Sequence, residues 1–176
     1  MAKSLSPQSL SEADRRELAL WAADCAERVL PLFEREAPGD GRTRDAIARA
    51  RAFGRGERDA AGEIRRRFMA GRAAASASTP AGVAAARSAA QAAGVAHMGA
   101  HALGAAAYAV EAVGPSPADA ASEIDAQLAL LSAAATSALR RLPPLGEDAS
   151  GPLGPGLLDR GVRGDSIRVI QARLRV

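Results

Sequence analysis

His97 and His101, the only histidines of the chain, stand four residues apart in the stretch VAHMGAHALGAAAYAV (95–110). On a helix this spacing puts both imidazoles on one face, an arrangement that zinc sites use. Zinc needs a third ligand, yet no Glu adjoins the first histidine and no Cys or Asp stands close by in the sequence. Cys25 or Asp24 could supply it only through a tertiary contact. The residues therefore predict no metal and no cofactor. They predict instead two histidines hydrogen-bonded to neighbouring helices on a crowded alanine face, in a polar line that continues through Gly104 to Tyr108. Trp21, Asp24, Cys25 and Arg28 form a second such line. Asp24 and Arg28 are spaced for a helix ion pair worth a few tenths of a kcal/mol. A pocket is expected where the two lines meet. A Cys and a His can form a nucleophile–base pair, but no local motif surrounds Cys25 and no loop offers an oxyanion site. No catalytic residue is assigned, and Trp21, Asp24, Cys25, Arg28, His97, His101 and Tyr108 stand as candidate binding residues.

The elements that must hold these residues read as helices throughout. Ser11 is a helix N-cap followed by Glu12 and Asp14, whose charge suits a helix start. Leu18, Trp21, Cys25, Val29 and Leu32 then recur at helical spacing. Pro31 either kinks this helix or opens a second short segment. Ala46, Ile47, Ala50 and Phe53 stripe a second helix, and Ile64, Phe68, Gly71 and Ala75 a third. Between residues 73 and 113, 20 of 41 residues are alanine, which predicts a close-packed central helix or hairpin. Ile124, Leu128, Leu131 and Leu139 stripe one further helix, GEDASGPLGPG (146–156) reads as a loop, and Ile167, Ile170 and Leu174 mark a final helix. No segment alternates long enough to argue a strand. The expected fold is all-α, one bundle of about five to seven helices around the alanine-rich segment. It divides into an N-terminal tail (1–10), a helical domain (11–145) and a loop with a C-terminal helix (146–176) docking on that domain.

Composition narrows the function classes. With 48% hydrophobic but 3% aromatic residues, the core must be built from Ala, Leu and Val. The net charge is +3 and the sequence pI about 9.9, a mild excess for a nucleic-acid binder. The arginines from Arg42 to Arg72 are interleaved with Asp45, Glu57, Asp59 and Glu63, and no aromatics are placed to stack bases. No nucleic-acid partner is expected. One cysteine excludes an internal disulfide framework, and the opening MAKSLSPQSLSEADRRE lacks the apolar segment of a secretory signal. The 23 uncharged residues between Arg87 and Glu111 are mostly Ala and Gly, with Gln91 and both histidines among them, so no membrane partner is expected either.

LALWAADCAERVLPLFEREAPGDGRTRDAIARARAF, followed much later by AAGVAHMGAHALGAAAYAVEAV, resembles the immunity-protein-five-like domain of bacterial polymorphic toxin systems. The resemblance runs from about Leu18 to the ALRRLPP segment. It implies a cytoplasmic, helical, non-catalytic protein that binds a cognate protein toxin and neutralises it by occlusion, and it transfers no catalytic residue. LLDRGVRGDSIRVIQARL (157–174) is similar to the opening of a peptidoglycan-binding helical repeat, with Gly161, Gly164, Ile167, Gln171 and Leu174 in place. The alternatives that stay open are a small-ligand-binding or metal-assisted helical enzyme using the two polar faces, and a structural or homo-oligomerisation module.

Overall fold

Ser11 opens the first helix as a true cap, its hydroxyl accepting the Asp14 N–H at 3.1 Å. In the computed structural model, which describes residues 6–176, helix α1 then runs Glu12–Glu34. It continues through Pro31, which lies in the last turn and removes one helix hydrogen bond, that to the Glu27 carbonyl, without ending the helix. Leu18, Trp21, Cys25 and Val29 face the interior, each no more than 2% exposed. The chain continues as α2 (Arg42–Gly54), α3 (Ala60–Arg66), α4 (Phe68–Gly71), a 3-10 segment (Arg72–Ser76), α5 (Pro80–Gly94) and α6 (His101–Val113). It ends with α7 (Pro117–Ala129), α8 (Ala133–Arg140) and α9 (Gly161–Leu174). The fold is all-helical, with no strand among the described residues.

The alanine-rich stretch is the centre. Helices α5 and α6 pack on each other more extensively than any other pair, and α1 lies against both. Ala85, Ala89, Ala102, Ala105, Ala106 and Ala109 are buried with almost no exposed surface. Side chains this small bring the backbones close enough for Ser88 Oγ, on α5, to donate to Ala105 O at 2.7 Å. Leucine at Ala105 has no room and should cost about 1–3 kcal/mol by overpacking. Gly99→Leu should cost as much, since even a Cβ there would stand 2.8 Å from Leu10 Cδ1. Unchanged urea midpoints for both variants would contradict this packing.

Three expectations from periodicity need correcting. Residues 95–110 are not one helix: α5 stops at Gly94, α6 starts at His101, and His97 lies in the turn between them. The cause is tertiary. The N–H groups of Gly99 and Ala100, which a continuous helix would bond to the preceding turn, donate instead to Ser9 O and Gln8 O at 3.0 and 3.1 Å. The third stripe is also displaced. Glu63, Ala70 and Ala73 face inward, while Phe68 is 62% exposed. The Glu63 carboxylate pairs with Arg49 of α2 at 2.7 Å, and that pair sets the rotation of α3. Finally, Ser132 splits the stripe from Ile124 to Leu139 into α7 and α8 by capping the Ala135 N–H at 3.0 Å.

Residues 1–5 of the expected tail lie outside the described residues. Residues 6–10 are tied down: Gln8 is fully buried and bonds Asp148 O at 2.8 Å and the Leu153 N–H at 2.9 Å. One side chain thus holds the N-terminal segment to the 146–156 loop. Helix α9 packs on α6, α7 and α8, burying Ile167, Ile170 and Leu174.

Candidate functional site

The two polar lines of the sequence come to lie in different surroundings. Trp21, near the middle of α1, is 2% exposed and donates from Nε1 to Gln127 O of α7 at 2.8 Å. Arg28, two turns on, forms a bidentate pair with Glu123 of α7 at 2.9 and 3.0 Å. Glu123 also accepts from Gln127 Nε2 at 3.0 Å, and Gln127 in turn donates to Ala106 O of α6 at 3.2 Å. Asp24 does not pair with Arg28 as its spacing suggested. It pairs with Arg51 of α2 at 2.7 Å, because each residue finds a partner on the helix it faces. Cys25 is fully buried between these pairs. Burial first, then the nearby charges of Glu123 and Asp24, push its thiol well above the ordinary range. It is therefore held protonated, a poor nucleophile.

The histidine line borders open space. Gln91, His97 and His101 line a cleft of about 660 Å³ with Arg67, Phe68 and Arg72. A second cleft, of about 290 Å³, shares Gln91 and His101 and extends to Tyr108 and the loop from Gly151 to Leu158. His101 Nδ1 bonds Gln91 Oε1 at 2.8 Å across the boundary between the clefts. Gly104 makes this bond possible, because a side chain at that position would collide with Gln91 Oε1. The two imidazole rings lie 6.4 Å apart, centre to centre. Tyr108 is 3% exposed, and its ring is covered by the guanidinium groups of Arg163 and Arg87 at 5.2 and 5.9 Å. Neither cleft is lined by any residue of the Trp21–Arg28 line. Among the described residues no group of three His, Cys, Asp or Glu side chains is placed to hold a metal ion.

Gln8, Gln91, Arg67, Phe68 and Arg72 were not singled out from the sequence as site residues. Gln91 alone carried a signal, as a polar residue inside an otherwise apolar stretch. Gln8 stands in a short segment with no periodicity, and Phe68 fell on a stripe assigned to the core.

The family model for the Imm-5 like putative immunity protein matches residues 8–134. The chain belongs to this family. The region shared with other Imm-5 like proteins begins at the buried Gln8 and contains α1 to α7, hence the Arg28–Glu123 link and the α5–α6 floor of both clefts. The 146–156 loop and α9 lie beyond the match. No curated protein and no solved structure gave a match to the chain. No described helix of this Imm-5 like protein is long and apolar enough to cross a membrane.

His101 makes the site sensitive to acid. Burial, followed by the charges of His97 and Arg67, lowers it to about 4. An unfolded chain binds that proton near pH 6.5, so folding is fully supported above 6.5 and weakens as pH falls towards 4. At 1.36 kcal/mol per unit, and discounted for partial exposure, the loss should be about 2 kcal/mol. Glu36, held at about 2 by hydrogen bonds from Thr79 and Ser78, contributes only in stronger acid. His101→Gln should therefore lose less stability than wild type between pH 7 and 4. Parallel pH profiles for the two proteins would contradict a neutral, desolvated His101.

Proposed function

We propose that the protein is a cytoplasmic immunity protein that binds one cognate protein toxin and neutralises it by covering its working surface. Membership of the Imm-5 like family over residues 8–134 carries this reading. The side chains support binding over chemistry. The thiol of Cys25 is buried and held protonated, and the Nδ1 of His101 is engaged by Gln91. Cys25, the one nucleophile of the two polar lines, lines neither cleft and so does not meet the histidine that would have to activate it. The exposed surface is where partner recognition takes place on this account, and the Trp21–Arg28 line serves to join α1 to α7.

Co-expression with the product of the adjacent open reading frame in a sensitive host tests the proposal. Wild type should restore growth, and Cys25→Ala should restore it equally, since the thiol only packs. A folded Cys25→Ala or His101→Gln variant that still binds the toxin but gives no protection would replace occlusion with chemistry.

A further inference from the structure

The face built from α3, α4, the 3-10 segment and α5 carries arginines that form no ion pair among the described residues, although Asp45 and Glu63 share a small pocket with Arg66 and Arg67. Arg42 and Arg49 nearby are paired with Asp40 and Glu63. Among the described residues Arg66, Arg67, Arg72 and Arg87 have no such partner, and residues 1–5 contain no acid to supply one. Neither cleft has a carboxylate in its lining. The positive field reaches the histidines: His97 is lowered first by burial and then by the charges of Arg67 and Arg15. Apolar surface accompanies the charge. Phe68 is 62% exposed beneath the Arg67 guanidinium, which lies 4.2 Å from its ring centre, and Leu157 on the rim of the second cleft is 68% exposed. The two clefts meet at the His101–Gln91 bond, with Phe68 lining the first and Leu157 the second, and the pair is taken together as one groove.

We infer that this groove is the toxin-docking surface and that it receives an acidic segment of the toxin carrying apolar side chains. The inference rests on the immunity reading above. Carboxylates of the segment pair with Arg67 and Arg72, while its apolar groups cover Phe68 and Leu157. A small ligand seated on the groove floor would leave both rim side chains in water, whereas a protein segment buries them. A nucleic acid would want successive aromatic faces for its bases, and the Tyr108 ring is already covered by arginines. The rim positions are exposed, so Phe68→Ala and Arg72→Glu leave the core untouched.

The test is calorimetric titration of the purified adjacent-frame product with wild type, with the double variant Phe68→Ala/Arg72→Glu, and with Arg175→Glu. Arg175→Glu makes the same charge change at the C-cap of α9, outside the groove. The double variant should bind about 100-fold more weakly, and Arg175→Glu should match wild type. Unchanged binding by the double variant overturns the groove assignment and leaves the immunity reading standing. Absence of binding by wild type overturns the immunity reading for that product, and a second probe then decides the groove. A fluorescein-labelled peptide of glutamate, serine and leucine should bind wild type and be lost in the double variant, while its lysine counterpart should not bind. Equal binding of the two peptides overturns the proposal. So does preference for an oligouridylate whose binding depends on the same two residues.

Discussion

Trp21→Ala should lower the free energy of unfolding by about 3–5 kcal/mol, the usual cost of emptying a large buried aromatic site. Trp21 is 2% exposed, and its Nε1 bond to Gln127 O ties α1 to α7. The substitution therefore leaves both a cavity and a buried carbonyl without its donor. Trp21→Phe keeps most of the volume and loses the bond, so it should cost about 1–2 kcal/mol. Urea unfolding followed by far-ultraviolet circular dichroism reads both, because Trp21 is the only tryptophan and its fluorescence disappears with it. A loss below about 1 kcal/mol for Trp21→Ala would mean that the residue is not enclosed. Protection against toxin should follow the folded fraction of each variant and nothing more.

Arg28→Met should cost about 2–3 kcal/mol, at or below the usual range for a broken buried pair because Arg28 itself is partly exposed. The reason is asymmetric exposure. The Glu123 side chain is 7% exposed and that of Arg28 37%, so removing the arginine strands a carboxylate that water barely reaches. Gln127 Nε2 still donates to it, which limits the loss. Glu123→Gln should be milder, because the freed guanidinium can turn to solvent. The double substitution Arg28→Met/Glu123→Leu should recover part of the loss, since no buried charge remains. A double variant less stable than Arg28→Met alone would contradict this account of the pair.

Helix content was legible because it rests on local signals. Ser11 caps as its type suggests, and the stripe Leu18, Trp21, Cys25, Val29 turns inward at helical spacing. The alanine-rich segment was legible as the centre for a related reason: so many small side chains favour close helix contact. The break between Gly94 and His101 was not. It depends on carbonyls of Gln8 and Ser9 reaching Gly99 and Ala100 from about ninety residues away, a contact that no periodicity records. Periodicity also misplaced Phe68. Its apolar type and spacing suggested core, but Phe68 opens a separate short helix, α4, whose buried residue is Ala70. Among the residues that line the two clefts, His97, His101 and Tyr108 were legible because polar residues stand out in an apolar run. The partners of Arg28 and Asp24 were not, since i to i+4 spacing describes one helix and both residues face others.

Stoichiometry tests the central claim most directly. Increasing amounts of the purified protein should be added to a fixed amount of the adjacent-frame toxin, with residual toxin activity measured at each step. Occlusion predicts a linear fall that reaches zero at one protein per toxin, with activity returning when the complex is dissociated. Complete and lasting inactivation by a small fraction of an equivalent would show turnover, and the protein would then be an enzyme acting on its toxin.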